Sequence, residues 1–178
     1  MTNRSIELIL GGARSGKSGF AEQCAKNSGL SVTYIATATS LDDEMARRIK
    51  HHQQQRPSHW QLIEEPLALA QVIKTHSTAD SCLIIDCLTL WLTNCLFGEH
   101  DIDWQTAKAN LFDALSQAQG QVLLVSNEVG LGIIPMGEVS RHFVDEAGWL
   151  HQELAQQADK VTFVIAGLPQ VLKQPTRD

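Results

Sequence analysis

The chain has 178 residues, a formal net charge of −6, 43% hydrophobic and 19% charged residues. That length gives one domain able to bury about two thirds of its surface, and the composition excludes a disordered, collagenous or low-complexity protein. The acidic balance argues against a global electrostatic grip on nucleic acid, yet it permits a local phosphate site built from backbone amides and one lysine.

Residues 6–10 (Ile-Glu-Leu-Ile-Leu) predict a short central strand. A helical pattern follows the glycine-rich stretch after it, through Phe20, Ala21, Cys24 and Ala25, and Gly29 ends it. Residues 32–36 predict a second strand. Residues 41–55 predict a helix, with Asp42 near its start and Pro57 beyond its end. A third strand is expected over 60–63, and a helix over 66–75 with Pro66 in its first turn. Residues 82–85 predict an apolar strand ending at Asp86, and 88–97 a helix. A polar connection over 98–103 leads to an amphipathic helix over 104–119, with Ala107, Leu111, Ala114, Leu115 and Ala118 near one face. Residues 122–125 predict a strand, 130–137 a glycine-rich loop, 139–158 a long helix and 161–166 the last strand, with 169–178 a short mobile tail. Strands alternating with helices predict an α/β fold, a mostly parallel sheet with helices on both faces, in a single domain over 1–178.

The cysteines, Cys24, Cys82, Cys87 and Cys95, contain no C-x-x-C pair, and reduced buried thiols are expected. The first seven residues lack a signal-peptide stretch, and no window approaches the ~18 apolar residues of a membrane span. The expectation is a cytoplasmic protein.

Gly11-Gly12-Ala13-Arg14-Ser15-Gly16-Lys17-Ser18 matches G-x-x-x-x-G-K-[ST] between a predicted strand and helix. Glycines let backbone amides turn inward around a phosphate chain, and a helix N-terminus adds partial positive charge. Lys17 can reach the β and γ phosphates, and Ser18 can hold Mg²⁺. Chance gives such a pattern in about one random chain of this length in a hundred. Asp86, at the end of an apolar strand, sits where a second metal-holding acid belongs; the alternative is that it caps the helix starting near Leu88.

Two adjacent histidines, His51 and His52, lie among basic residues late in the 41–55 helix. Adjacent helical positions point about 100° apart, so the pair does not suit one shared metal. Solvated surface residues, phosphate contacts and a phosphorus-attacking nucleophile are the open readings, and physics alone favours the surface. Trp60, Trp91, Trp104 and Trp149 read as core or interface anchors. Glu128 is either catalytic or the residue that fixes the Gly130–Gly132 loop. His142 and His151, nine apart on a predicted helix, face opposed sides.

Taken in order, several segments resemble the bifunctional adenosylcobinamide kinase/adenosylcobinamide-phosphate guanylyltransferase family. They are the 11–18 loop, Tyr34-Ile35-Ala36-Thr37-Ala38, Leu41-Asp42-Asp43-Glu44-Met45, Arg48-Ile49-Lys50-His51-His52 with Arg56-Pro57, Asp86-Cys87-Leu88-Thr89, Asn127-Glu128-Val129-Gly130-Leu131-Gly132-Ile133-Ile134-Pro135 and Arg141-His142-Phe143. The phosphate loop is shared by very many enzymes; the ordered set, and above all residues 127–135, is specific. The resemblance implies a RecA-like P-loop NTPase fold and two reactions. A nucleoside triphosphate, ATP or GTP, phosphorylates the hydroxyl of adenosylcobinamide. GTP then gives GMP to adenosylcobinamide-phosphate through a GMP–histidine intermediate, releasing pyrophosphate. It also implies His52 as the nucleophile, with His51 in reserve. GTP contacts carry over to the 11–18 loop, to Thr37, Ala38 and Thr39, to Gln53, Gln54, Gln55 and Arg56, to Glu64 and to Asp86. Mg²⁺ falls to Ser18 and Asp86, and the assembly implied is a homotrimer. The alternatives are a plain P-loop small-molecule kinase, a non-catalytic nucleotide switch and a RecA-like DNA-dependent ATPase; the net charge and the lack of a basic, aromatic-interleaved stripe count against the last.

Overall fold

The computed structural model describes residues 4–38 and 57–175. Its elements in chain order are β1 (Ser5–Gly11), α1 (Lys17–Ser28), β2 (Ser31–Ala36), β3 (Gln61–Glu64), α2 (Leu69–His76) and β4 (Ser81–Asp86). Then come α3 (Leu88–Phe97), α4 (Trp104–Gln117), β5 (Gln121–Asn127), α5 (Glu138–Gln157), β6 (Lys160–Ile165) and β7 (Leu168–Lys173). The helix expected over 41–55 lies outside the described residues.

The seven strands form one sheet in the order β3-β2-β4-β5-β1-β6-β7. β1 to β6 run parallel, and β7 joins β6 antiparallel. Strand β1 is interior, flanked by β5 and β6, as its apolar run predicts. Alternation of side chains then divides the core in two. Ile9, Tyr34, Ile84, Leu123 and Val125 pack with Ala21 and Ala25 of α1. Leu8, Leu10, Ile85, Val122 and Leu124 pack on the other face against α2 to α5, through Ile73, Trp91, Leu111 and Leu150. A parallel sheet buried on both faces is what near-continuous apolar strands require.

Within the second core Trp91 and Trp104 meet edge to face, with centroids 5.3 Å apart, and the Trp104 indole donates to buried Glu146 at 2.7 Å. Both tryptophans are thus anchors, whereas Trp149 is 53% exposed and stands outside the core. The four cysteines are free thiols, and burial pushes Cys82 up to about 12 and Cys87 and Cys95 up to about 11.

The mobile tail expected from residue 169 onward is corrected over its first five positions, which lie in β7. A two-residue turn makes the strand possible: Ala166 and Gly167 both take left-handed backbone, with φ of 51° and 78°. Consecutive left-handed residues match the twist of a tight hairpin. Pro169 is tolerated because β7 is an edge strand. The turn also reaches the phosphate loop, where the Gly167 amide donates to the Ser15 carbonyl at 2.8 Å.

Gly11 is the tightest point of this construction. A Cβ there would stand 2.4 Å from Ser15 Oγ and 2.6 Å from the Val164 carbonyl oxygen, while a Cβ on Gly12 would meet nothing within 4 Å. Gly11→Ala should therefore cost about 1–3 kcal/mol through overpacking, and Gly12→Ala no more than about 0.5 kcal/mol. Thermal unfolding without nucleotide checks both: the first variant loses several degrees and the second stays near the parent.

Candidate active site

The phosphate loop leaves β1 at Gly11 and enters α1 at Lys17. Its backbone is held from three sides. The Glu128 amide donates to the Gly11 carbonyl at 3.0 Å, the Ser15 amide to the Gly12 carbonyl at 3.2 Å, and Gly167 to Ser15 as above. Gly16, with φ 95°, makes the left-handed turn into the helix, and Arg14 shares that region at φ 57°. No side chain caps the start of α1 and no acid lies in its first turn. The first helical amides and their partial positive charge are thus left for an anion. Lys17 is buried, with its ammonium donating to the Gly12 carbonyl at 3.2 Å. The cation is parked across the loop that the phosphates would fill. A cleft of about 580 Å³ adjoins this loop, walled by Glu128, Val129 and Leu131 on one side and by Phe163 to Ala166 on the other.

Asp86 ends β4 on the same sheet face as α1, because Cys82 and Ile84 belong to that core. The strand β5 separates it from β1. Asp86 does not cap α3: Cys87 holds the N-cap position and no side chain bonds there. Its Oδ2 instead accepts a hydrogen bond from the Tyr34 hydroxyl at 2.6 Å. Tyr34, the chain's single tyrosine, is buried in β2 on the α1 face. A phenol on one carboxylate oxygen fixes the carboxyl plane. A hard oxygen donor of this kind, with the Ser18 hydroxyl, fits Mg²⁺, which binds through one or two protein oxygens and substrate phosphates. Among the described residues no cluster of three or more His, Cys, Asp or Glu offers a complete metal cage.

At the carboxyl end of β5, three consecutive residues do three different things. The Ser126 hydroxyl lies between Thr89 Oγ1 at 3.2 Å and His151 Nε2 at 2.8 Å. The Asn127 amide donates to Thr89 Oγ1 at 2.7 Å, while its side-chain Oδ1 is buried without a partner. Glu128 accepts from the amides of Gly130 at 2.7 Å and Leu131 at 3.1 Å. Of the two readings of Glu128, these bonds give it the loop-fixing one. Burial holds the His151 imidazole below the usual histidine range, with the Glu128 carboxylate opposing that shift.

The other sequence-derived site residues are placed as follows. Thr37 is fully buried; its hydroxyl donates to the Cys87 carbonyl at 2.6 Å and accepts from the Cys87 amide at 2.8 Å. It ties the end of β2 to the turn after Asp86, so its side chain is engaged with the protein. Ala38 follows it, partly exposed. Glu64 ends β3 opposite Ala36, exposed at the same edge of the sheet. Thr39, His51, His52, Gln53, Gln54, Gln55 and Arg56 lie outside the described residues. The loop 11–18, Asp86 and Glu64 thus share the carboxyl edge of the sheet, where open α/β folds bind ligands. Sequence reading gave no role to Tyr34, Thr89, Ser126 or Asn127. A lone tyrosine inside an apolar strand beside a strand-ending acid was the available signal for the first.

A phosphate loop after β1, an acid two strands away and this strand order define a P-loop NTPase of RecA-like type. The fold is shared with the flagellar accessory protein FlaH from Methanocaldococcus jannaschii (TM-score 0.55, 14% identity, 98% of this chain and 80% of that chain). It is shared too with the RadB recombinase (TM-score 0.53, 14% identity, 91% of this chain and 74% of that chain). The family model described as cobinamide kinase / cobinamide phosphate guanyltransferase matches residues 7–172, and the chain belongs to this family of bifunctional cobalamin-biosynthesis transferases. It is 53% identical over 167 residues to the bifunctional adenosylcobalamin biosynthesis protein CobP of Pseudomonas aeruginosa, covering 94% of this chain and 96% of that protein. It is 41% identical over 174 residues to the bifunctional adenosylcobalamin biosynthesis protein CobU of Escherichia coli (strain K12), covering 90% and 96%.

Two outcomes follow from the site's hydrogen bonds. Tyr34→Phe removes the phenol from Asp86 and should weaken carboxylate positioning by about 1–2 kcal/mol, read as a roughly tenfold lower rate and a higher Mg²⁺ requirement in titrations of activity. His151 binds its proton less readily folded than unfolded, where histidine titrates near ~6.5. Its contribution to stability is present above that pH and is lost as pH falls through the lower folded value. Unfolding midpoints between pH 7 and pH 5 should therefore drop less steeply in His151→Gln than in the parent.

Proposed function

We propose that the protein phosphorylates the hydroxyl of adenosylcobinamide with ATP or GTP and then transfers GMP from GTP to adenosylcobinamide-phosphate, giving adenosylcobinamide-GDP and pyrophosphate. The observation that carries this reading is the uncapped α1 N-terminus with Lys17 buried at its first residue, in a chain of this family. In the first reaction the substrate hydroxyl attacks the γ-phosphorus. The loop amides and the Lys17 ammonium stabilise the charge that spreads over the γ oxygens, and the nucleoside diphosphate leaves with the bond's electron pair. Mg²⁺ held through Ser18 and Asp86 would supply further charge neutralisation.

In the second reaction neutral His52 attacks the α-phosphorus of GTP. The new N–P bond replaces the bond to pyrophosphate, and the phosphate of adenosylcobinamide-phosphate then displaces the histidine. Gln53, Gln54, Gln55, Arg56, Thr39 and Glu64 take the GTP contacts that family membership suggests, with the Arg56 guanidinium on phosphate oxygens. A corrinoid is large beside the 580 Å³ cleft, and the neighbouring segment presents Leu131, Ile133, Ile134 and Met136 largely to solvent, Ile133 at 98% exposure. Both features support association of subunits that complete the pocket together, and the assembly we propose is a homotrimer. The compartment proposed is the cytoplasm; no helix among the described residues is long and apolar enough to cross a membrane.

Covalent trapping tests the reading. With Mg²⁺, label should pass to the protein from the α-phosphate of GTP and not from the γ-phosphate, stable in base and lost in acid. It should vanish in His52→Ala and persist in His51→Ala; the reverse pattern moves the nucleophile to His51. Absence of label from either position, in protein that binds GTP, favours a plain kinase. Lys17→Ala should depress both reactions by at least about 10²-fold, and unchanged rates would remove the loop from the mechanism.

A further inference from the structure

A cavity of about 390 Å³ opens above the ends of β2 and β3, apart from the phosphate-loop cleft. Pro66, Leu67 and Phe97 give it apolar walls, and Glu99 and His100 add polar groups. Asn94, also in its wall, sets its place in the fold. The Asn94 carboxamide donates to the Thr37 carbonyl, just past β2, and to the Pro66 carbonyl, just past β3, both at 3.1 Å. The Thr37 amide in turn donates to the Asp86 carbonyl at 3.2 Å. A single residue therefore links the cavity to the strand-ending acid. Phe97, the last residue of α3, is 43% exposed, and its ring rests on Phe143 with centroids 6.5 Å apart. A large aromatic surface is thus held at the rim, and none of the described residues covers it fully.

The charges at this cavity exclude one class of ligand and suit another. No lysine or arginine is among its described lining residues, Glu99 stands at the rim, and Asp101 follows in the same exposed connection. Phosphate groups are repelled there and drawn instead to Lys17 and the bare α1 amides. The corrinoid has the opposite character. Trivalent cobalt in adenosylcobinamide is balanced only by a monoanionic corrin ring and the adenosyl carbanion, so the macrocycle is a cation. Its body is apolar, and its periphery carries carboxamides that both donate and accept hydrogen bonds. Its reacting hydroxyl stands on a side arm, so the macrocycle binds beside the phosphates and not among them. We propose that this cavity receives an edge of the corrin macrocycle in both reactions, with Phe97 and Leu67 against the ring, His100 on a peripheral amide and Glu99 beside the cationic body. The rest of the macrocycle extends past the rim. This inference rests on the substrate reading above and gives that substrate a place to dock. Charge complementarity sets the orientation, and the apolar contact supplies the affinity.

The test reads corrinoid and nucleotide separately in the full-length protein. GMP labelling from α-labelled GTP needs no corrinoid, whereas phosphorylation of adenosylcobinamide and GMP transfer to adenosylcobinamide-phosphate both do. Phe97→Ala should raise the KM for both corrinoids about tenfold at unchanged kcat, the mark of binding shared by ground and transition states. Glu99→Gln, a change at an exposed position that keeps the fold, should raise both KM values about two- to fivefold, and high ionic strength should shrink its difference from the parent. GMP labelling and the KM for GTP should match the parent in both variants. Unchanged corrinoid KM values overturn the proposal. So does a higher KM for GTP or weaker labelling in Glu99→Gln, which would make the cavity part of the nucleotide site. Failure of the parent protein to phosphorylate adenosylcobinamide would instead contradict the substrate reading itself.

Discussion

Everything at the working end of this molecule depends on a bare helix N-terminus. The first turn of α1 has neither a capping side chain nor an acid, so its amides hold unspent hydrogen-bonding capacity beside a buried lysine. Such an arrangement is costly in an empty protein, and the surroundings keep it from collapsing. Gly11 is packed so closely on Ser15 and Val164 that no other residue fits without displacement. The amides of Glu128 and Gly167 hold the loop from β5 and from the β6–β7 turn.

The sheet turns that local device into a site. Because β1, β4 and β5 run parallel, their carboxyl ends deliver the loop, Asp86 and Asn127 to one edge. Because side chains alternate, Tyr34, Asp86 and Asn127 fall on the α1 face while Ser126 falls on the other. The two faces are joined by hydrogen bonds through Thr89, which holds both the Ser126 hydroxyl and the Asn127 amide. His151 completes that chain, and burial opposes its protonation. A site of strand ends has its geometry set by the sheet and its chemistry by single side chains, which explains how one fold serves a flagellar accessory protein, a recombinase and this family.

The segment after Glu128 is of another kind. Glu128 fastens its first turn by two backbone amides, and the Arg141 guanidinium bonds the carbonyls of Pro135 and Met136 at its far end. Between those fastenings Leu131, Ile133, Ile134 and Met136 stand in solvent. Apolar residues facing outward from a loop fastened at both ends form the kind of exposed patch that marks interaction sites. Its start also walls the cleft beside the phosphate loop.

Sequence by itself determined the α/β class, the phosphate loop, the strand-ending acid and eleven of the twelve described elements to within a few residues. Local patterns suffice for these: period two against period 3.6, and a motif whose glycines are dictated by the phosphate. It did not determine β7, because Leu168–Lys173 gains its pairing from β6, and the Ala166–Gly167 turn that permits it resembles any chain end ahead of a proline. Nor could it exclude Asp86 as a helix cap or choose between the two roles of Glu128; the first turns on a hydrogen bond between strands from residues 52 apart, the second on bonds within one loop, two and three residues along the chain. The unpartnered Asn127 carbonyl was beyond it altogether. Burial without a partner is a property of the packed protein, and no spacing along the chain records it.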